Sequence, residues 1–492
     1  MSSTGYETEL FVISDLHIGG KPSDLPGDRG FRINTHVDTL TEFIEEIVAR
    51  ARVTGRRTEL VINGDFIDFL AEEVPSDGIR RSFIDNQQDA VETFDAIAAR
   101  ERPLFDALCT LLASGIALTI VLGNHDIELS LPAVRARLAA LLRAGHQANY
   151  RFVYDGEAYT VGDVLIEHGN RYDEWNQVDF DGLRELRSAC SRDLQVTSGP
   201  RVEPPAGSEL VIRVMNPIKQ DYPFIDLLKP ETDAALPLLL TLEPSFANAM
   251  NSIEMARLEY RTRKHGLIAP AQPRHPSNIS STTLDPLHKI LTCHPIGDQQ
   301  DKLRKLIAEA QRRKRASDQK IASGVVRRAL SFLQLTVLTP DYDDRLKLLL
   351  ETLRELKDDR SFSRTHLADK LDKNYHEAAI ELAKKGRFKT ILFGHTHLAK
   401  DINLAQGTKD VEARYLNTGT WADLIRVPPE IIHGSSETAR EKLVLFAQAI
   451  RDKKFDEYLL FQPTFAHICL DSESCTVAVG LYDYKSGIVQ RL

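Results

Sequence analysis

Side chains that could bind metal ions stand in five short motifs along the chain, and each motif follows an apolar run. They are carboxylates, imidazoles and one amide, which are oxygen and nitrogen ligands that divalent cations accept. Such ligands can hold two cations about 3.5–4 Å apart through a shared carboxylate, an arrangement suited to phosphoester hydrolysis. The candidate metal ligands are Asp15, His17, Asp65, Asn124, His168, His395 and His397.

The charges of these ligands favour a phosphate group as the substrate. Only Asp15 and Asp65 are anionic, so two divalent cations would leave the site with a charge of about +2. The amide of Asn124 binds a cation without cancelling its charge, which keeps the pKa of a bound water low. We therefore expect an electropositive site within a chain whose net charge is −9.

The elements that must position these motifs predict an α/β core. Short β-rich runs alternate with helical patterns, and this order implies parallel strands with ligands at their carboxyl ends. The predicted strands are 10–14, 60–63 and 116–122, and the helical patterns between them are 35–52 and 89–114. Three shorter strands between residues 150 and 167 predict a meander with two tight turns.

Later in the chain the pattern changes and predicts a division into three parts. Proline- and serine-rich stretches and several helical patterns separate His168 from His395 and contribute no motif. We expect a mostly helical insert there, and a closing hairpin near the end of the chain. The predicted parts are the first part of the core at 1–185, the insert at 186–385 and the second part of the core at 386–492.

Composition and charge predict a soluble, cytoplasmic protein. The chain is 42% hydrophobic, but it has no run of about 18 uncharged apolar residues and no signal sequence at its start. Five cysteines without C-x-x-C spacing argue against a disulfide framework and a thiolate metal site. With 62 Lys+Arg against 71 Asp+Glu, net charge alone predicts no general affinity for nucleic acid or membranes.

The five motifs resemble those of the calcineurin-like metallophosphoesterase superfamily. The pattern of that superfamily is D-x-H, G-D-x-x-D, G-N-H-[DE], H and G-H-x-H, and this chain meets it without substitution. The resemblance covers about residues 8–180 and 388–425. It implies a four-layered α/β/β/α sandwich, here with a large mostly helical insert, and two divalent metal ions, with Mn, Fe and Zn as the leading candidates.

The resemblance also implies a role for each motif residue. Asp65 would bridge the two ions. The first ion would be held by Asp15, His17, Asp65 and His397, and the second by Asp65, Asn124, His168 and His395.

Further roles follow for the residues around these ligands. The resemblance implies that His125 contacts the phosphate and protonates the leaving oxygen, oriented by the carboxylate of Asp126. It also implies that Asp68 supports the ligands without binding metal. Arg171 follows His168 closely, and we predict that it contacts the phosphate from outside the metals.

Two segments are similar to the branch that contains the UDP-2,3-diacylglucosamine pyrophosphatases. They are residues 15–20 and 417–421. That branch usually reads H-G-D at the fourth motif, whereas this chain has His168-Gly169-Asn170, and its insert is larger. The lipid substrate of the branch is therefore not carried over.

The predicted function is hydrolysis of a phosphodiester or pyrophosphate bond in a nucleotide-like substrate, by attack of a hydroxide that bridges two metal ions. The alternatives are a nuclease acting on DNA or RNA, a phosphomonoesterase, and a non-catalytic scaffold with the same fold. The nuclease alternative depends on a basic stretch in the insert that could bind nucleic acid, centred on Arg312, Arg313, Lys314 and Arg315. The insert could also form a homo-oligomer contact.

Overall fold

The computed structural model describes the chain from residue 7 to residue 491 with several gaps. The described ranges are 7–22, 30–145, 147–173, 175–194, 202–219, 222–228, 235–243, 341–355, 373–404, 413–485 and 488–491. Most of the predicted insert, including the basic residues 312–315, lies outside them. Among the described residues, no helix is both long and apolar enough to span a bilayer.

The strands and helices alternate in the first third of the chain, as predicted. The strands are β1 Thr8–Ile13, β2 Arg57–Asn63, β3 Ala117–Val121, β4 Tyr150–Val153, β5 Tyr159–Val161, β6 Val164–Ile166, β7 Thr390–Phe393, β8 Ala399–Asn403, β9 Arg414–Thr418, β10 Asp423–Ile425, β11 Leu459–Phe461, β12 Thr464–Leu470, β13 Thr476–Lys485 and β14 Ile488–Arg491. The helices are α1 Val37–Thr54, α2 Gln87–Arg100, α3 Arg102–Ala113, α4 Pro132–Leu141, α5 Phe180–Cys190, α6 Ala206–Leu210, α7 Asn216–Lys219, α8 Leu236–Leu242, α9 Tyr342–Glu355, α10 Lys373–Ala383, α11 Pro429–His433 and α12 Ser436–Arg451.

Two sheets contain most of these strands. The first has the order β14-β13-β12-β1-β2-β3-β4, and β1 to β4 run parallel to one another. The second has the order β5-β6-β7-β9-β8, in which β6, β7 and β9 are parallel. The predicted hairpin near the end of the chain is present as the antiparallel pair β12 and β13.

The meander predicted between residues 150 and 167 is wrong. The strand β4 pairs in parallel with β3 in the first sheet, whereas β5 and β6 form a hairpin in the second. The chain therefore changes sheets after β4. Strand length and turn residues do not determine which sheet a strand joins, because that depends on partners distant in sequence.

Alternating side chains of the described strands face three hydrophobic clusters. Phe11 and Ile13 of β1 pack in the core that contains α1 and α3, while Leu10 and Val12 pack in the core between the two sheets. The other face of the second sheet packs against α10 through Tyr375. Helix, sheet, sheet and helix therefore form four layers, and the predicted α/β/β/α sandwich is confirmed.

The described chain divides into two compact units. The first comprises residues 1–223, 359–424 and 459–492, so it carries both sheets, and the second comprises 224–358 and 425–458. Within the second unit, Nε of Arg354 on α9 donates to the Ile431 carbonyl of α11 at 3.3 Å. Residues 425–458 therefore share a compact unit with α9. The predicted division into 1–185, 186–385 and 386–492 stays a prediction.

Candidate metal centre

The predicted metal ligands lie at the carboxyl ends of parallel strands from both sheets. In the first sheet, Asp15, Asp65 and Asn124 follow β1, β2 and β3. In the second sheet, His168 follows β6, and the two histidines of G-H-x-H follow β7. Because each loop is held by the strand before it, side chains that are distant in sequence converge at one edge.

The first group that could hold a metal ion consists of Asp15, His17 and His397. The Nε2 atoms of His17 and His397 lie 3.0 Å apart, and the Nε2 of His397 lies 3.5 Å from Oδ1 of Asp15. Two nitrogens bound to one cation at about 2.1 Å and at right angles are about 3 Å apart. The spacing of the two imidazoles therefore fits a shared ion.

The second group consists of Asp65, His168 and His395. The Nδ1 of His168 donates to the Asn63 carbonyl at 2.9 Å, which directs the lone pair of its Nε2 toward Asp65. That Nε2 lies 3.2 Å from Oδ2 of Asp65, yet it has no hydrogen-bond partner among the described residues. Two acceptors that face each other at this distance are stabilised by a cation between them.

The carboxylate of Asp65 lies close to histidines of both candidate metal groups. Its Oδ2 lies 3.9 Å from Nε2 of His17 and 3.2 Å from Nε2 of His168. On the same edge, Oδ1 of Asn124 is buried and has no hydrogen-bond partner within the described part of the chain. A buried oxygen without a partner is costly unless an ion binds it, so these residues fit divalent metal.

The pKa values of the buried ligands are set by burial and by the charges of neighbouring ligands. Burial raises the pKa of Asp15 above its usual value. It acts on Asp65 in the same direction, but neighbouring imidazoles, led by His168, hold the pKa of Asp65 well below its usual range. Burial lowers the pKa of His168, yet the Asp65 carboxylate overcomes this effect and raises it to about 10. Metal binding requires deprotonated ligands, so divalent cations at this centre would take over the charge balance from protons.

Five of the predicted ligands adopt a backbone conformation that side chains other than glycine rarely adopt. Their φ values are 55° at Asp15, 46° at His17, 49° at Asp65, 70° at His395 and 60° at His397. Such residues are strained and persist where the surrounding structure holds them, often at functional sites. Five of the nine non-glycine residues with positive φ in the described part of the chain are therefore predicted ligands.

The glycines of the motifs leave room for ligand side chains. A Cβ on Gly64 would overlap the imidazole of His168, and one on Gly123 would overlap the carboxylate of Asp65. Gly64 also has a φ of 80°, which favours glycine. These contacts explain why the second and third motifs begin with glycine, because in each case a ligand from another loop packs against the glycine backbone.

Hydroxyl and amide groups of the segment 417–421 donate hydrogen bonds to the backbone of the first and fifth motifs. The Oγ1 of Thr420 donates to the Asp15 carbonyl at 2.7 Å, and Ser14 Oγ donates to Oδ2 of Asp15 at 2.5 Å. Nδ2 of Asn417 donates to the Gly394 carbonyl at 2.7 Å. The segment that resembles the pyrophosphatase branch thus links the first motif to the fifth.

His125 stands at the edge of the centre, with 18% of its side chain exposed. Its Nδ1 lies 3.3 Å from Oδ1 of Asp68, and its ring centroid lies 4.7 Å from that of His17. The second oxygen of Asp68 lies 3.7 Å from Nδ1 of His17. Despite burial, the imidazoles, led by His125, hold the pKa of Asp68 far below its usual range. Asp68 is therefore an anionic partner of both histidines, behind the first metal group.

The described contacts of Asp126, which the motif resemblance assigns to orienting His125, are with backbone groups. Both oxygens of Asp126 accept backbone N–H groups, from Gly123 at 2.7 Å and from Phe66 at 2.8 Å. Burial, with the charge of Asp65 nearby, raises the pKa of Asp126 to about 7. Asp126 ties the second and third motif loops together, and adjacency in sequence did not indicate this because neighbouring side chains on a turn point in different directions.

The described contacts of Arg171 involve the loop around it. Its Nε lies 3.2 Å from Oε2 of Glu167, and its Nη2 donates to the Gly156 carbonyl. The predicted role of Arg171 in binding phosphate has no support from these contacts and stays a prediction.

Two residues further on, Asp173 makes a contact that the sequence did not predict. Oδ2 of Asp173 lies 3.1 Å from Nε2 of His395, and it accepts Nδ2 of Asn176 at 2.7 Å. The only signal in the sequence is that Asp173 and Asn176 follow His168 closely. Nothing in the sequence indicates that their partner comes from the fifth motif.

The comparisons with known proteins agree with the residues brought together here. Residues 9–196 match the family model described as calcineurin-like phosphoesterase. This span contains the first four motifs, and His395 and His397 lie beyond it. A search of curated proteins found no match.

Proposed function

We propose that this chain, a phosphoric ester hydrolase whose residues 9–196 match the calcineurin-like phosphoesterase family, cleaves a phosphodiester or pyrophosphate bond of a nucleotide-like substrate with two divalent metal ions. The clustered carboxylates and imidazoles support dependence on metal. The preference for a diester or pyrophosphate rests on the resemblance of the motifs and on the large segment between the fourth and fifth motifs, which can restrict the leaving group.

The position of Asp65 is the observation that carries the proposal of two ions. Its Oδ2 lies between the imidazoles of His17 and His168, one from each candidate group. Two ions about 3.5–4 Å apart require a carboxylate that is shared between them in this way. The proposed first position has the ligands Asp15, His17, Asp65 and His397, and the proposed second has Asp65, Asn124, His168 and His395.

When bound, divalent ions supply Lewis acidity for the phosphoryl oxygens and lower the pKa of water toward neutrality. The residues of the chain supply position and a proton. His125 is held at Nδ1 by Asp68, so its Nε2 can present a proton to the leaving oxygen. The anionic partner favours the protonated imidazole, which suits a general acid.

The test is a substrate panel measured on metal-free protein reconstituted with Mn²⁺ or Zn²⁺. The panel holds an aryl monophosphate, the matching bis-aryl diester, a nucleotide pyrophosphate ester, a cyclic nucleotide and single-stranded nucleic acid. We expect the diester or pyrophosphate to have the higher kcat/KM, and chelation or Asp65→Asn to lower kcat by about 10²-fold or more.

Asp106→Asn is the matched control, since Asp106 lies on α3 with 56% of its side chain exposed. We expect it to keep the activity of the unaltered chain. A higher kcat/KM on the monophosphate would contradict the proposed bond type. A rate that withstands chelation and Asp65→Asn would contradict the two-metal centre.

A further inference from the structure

The carboxylate of Asp173 is fixed by contacts on both of its oxygens. Oδ1 accepts the backbone N–H of Trp175 at 2.9 Å, and Oδ2 accepts Nδ2 of Asn176 at 2.7 Å. The loop itself is anchored, because Nδ2 of Asn170 donates to the Asn176 carbonyl at 2.8 Å. Asp173 therefore presents Oδ2 in one direction, toward Nε2 of His395 at 3.1 Å.

This contact selects the nitrogen of His395 that can bind metal. A histidine ligand usually donates its other ring N–H to a carboxylate or carbonyl, which fixes its tautomer and ring orientation. With Nε2 donating to Asp173, the lone pair of His395 is on Nδ1. Among the described residues, Asp173 belongs neither to the two groups above nor to the third group close enough to hold an ion, which is His17, Asp65 and His125. We therefore assign Asp173 to supporting a ligand and not to binding the ion.

Asn176 also contacts Asn124, a candidate ligand that follows a strand of the first sheet. Its Oδ1 lies 3.5 Å from Nδ2 of Asn124, at the outer limit of a hydrogen bond. This contact directs the amide nitrogen of Asn124 toward Asn176. It leaves Oδ1 of Asn124, which is buried and has no hydrogen-bond partner in the described ranges, as the atom available to an ion.

We propose that Asp173 and Asn176 form a positioning pair that holds His395 by Nε2 and Asn124 by its amide nitrogen, and thereby sets the affinity of the second metal position. The inference rests on the proposed function, because it requires two metal positions. His395 follows β7 of the second sheet and Asn124 follows β3 of the first, so one short loop joins ligands from both sheets. Asp68 occupies the corresponding place behind the first group, where it contacts His17 and His125.

Calorimetric titration of the full-length, metal-free chain with Mn²⁺ tests the pair directly. We expect two classes of site in the unaltered protein. Asp173→Ala should weaken one class by about 10–100-fold and leave the other within about twofold, the usual effect of removing a carboxylate behind a metal ligand. Asn176→Ala should weaken the same class by a smaller factor, and it provides a second variant if Asp173→Ala folds poorly.

Electron paramagnetic resonance and activity provide readouts that a general loss of structure would not produce. At two equivalents of Mn²⁺, Asp173→Ala should lose the signal of a spin-coupled pair and show that of an isolated ion. Its kcat should rise toward that of the unaltered protein at high Mn²⁺, whereas His125→Ala should stay slow at any Mn²⁺ concentration.

Asp179→Ala is the matched control, because Asp179 lies in the same region and accepts the Gly182 N–H at the start of α5. It should lower thermal stability and leave both metal affinities unchanged. Unchanged affinities in Asp173→Ala and Asn176→Ala, or equal weakening of both classes, would overturn the inference while the proposed function stands. A single class of site in the unaltered protein would overturn both.

Discussion

Oδ1 of Asp68 lies 3.3 Å from Nδ1 of His125, so the partly buried imidazole of the third motif is paired with a carboxylate of the second. The carboxylate beside His125 in sequence, Asp126, binds backbone N–H groups instead. The two carboxylates that the motifs place near His125 therefore have different partners. Asp68 contacts the imidazole, and Asp126 binds the backbone of the motif loops.

Replacing His125 should slow the reaction in proportion to how much the leaving group needs a proton. We expect His125→Ala to lower kcat by about 10²–10⁴-fold on an alkyl or nucleoside leaving group, the usual contribution of a general acid. The loss should be much smaller on p-nitrophenyl esters, whose leaving oxygen is stable as an anion. Steady-state rates on the two esters provide the measurement, and equal losses on both would contradict the role of His125.

Asp68→Asn and Asp126→Asn should separate catalysis from stability. Asp68→Asn removes the anion that favours a protonated His125, so we expect kcat to fall by about 10–100-fold and the alkaline limb of the pH–rate profile to move to lower pH. KM and the melting temperature should change little.

Asp126→Asn should instead lower the free energy of unfolding. Its amide nitrogen would face the backbone N–H of Gly123 or Phe66, and a buried donor left without an acceptor costs about 1–3 kcal/mol. Denaturant unfolding at pH 8 and kcat at saturating metal measure the two effects. An Asp126→Asn protein of normal stability but with the pH profile expected for Asp68→Asn would contradict this division.

Gly64→Ala should damage the metal centre more than the same change at Gly55. Both glycines have positive φ, 80° and 64°, but a Cβ at Gly64 would overlap His168, whereas nothing lies within 4 Å of one at Gly55. Gly55→Ala should cost about 1–2 kcal/mol of stability from backbone strain alone. Gly64→Ala should also weaken metal binding by at least about tenfold. Thermal melts and metal titrations of both variants test this, and equal metal affinities would count against the packing of His168 on Gly64.

An ion pair between β1 and β12, with one partner buried and the other partly buried, should make stability depend on pH. Nε2 of His467 on β12 lies 3.2 Å from Oε2 of Glu9 on β1. Burial lowers the pKa of His467, but contacts with Cys469 and Glu9 outweigh it and leave the pKa raised. Burial raises the pKa of Glu9, but His467 and Arg50 outweigh it and leave the pKa lowered.

The directions of these two pKa shifts determine how each residue's contribution to the free energy of unfolding changes with pH. The contribution of His467 is complete below its unfolded pKa, about 6.5, and is lost as pH rises through the raised folded value. The contribution of Glu9 is complete above its unfolded pKa, about 4.3, and is lost as pH falls through the lowered folded value. The pair should therefore stabilise the protein most between about pH 4.3 and 6.5.

His467→Gln should lower the free energy of unfolding by about 1 kcal/mol at pH 5.5 and by less at pH 9, since the charge-assisted bond is lost only where His467 is protonated. Urea unfolding at the two pH values measures the difference. Lys485→Gln is a control that should show no such trend, because Lys485 is exposed at the end of β13. A larger effect of His467→Gln at pH 9 would contradict the assigned direction.

Periodicity predicted the layers of the fold well. The helical pattern over 35–52 depends on six apolar positions, and all six are buried on α1, namely Val37, Leu40, Phe43, Ile44, Ile47 and Val48. The helical pattern over 89–114 is present as α2 and α3, with Pro103 at the start of α3 where the missing N–H is tolerated. These features could be predicted because a buried helix face and a proline each act on the chain within a few residues.

The motifs by themselves determined which side chains could form a metal centre, because ligand chemistry depends on residue type and the strands place each ligand at a sheet edge. Only the tertiary structure decided that β4 joins the first sheet, that Asp68 and not Asp126 contacts His125, and that Asp173 contacts His395. Such pairings depend on φ, on side-chain direction and on the meeting of loops distant in sequence. Residue type and spacing carry little information about these quantities, since a change of one residue in register or of one rotamer redirects a side chain.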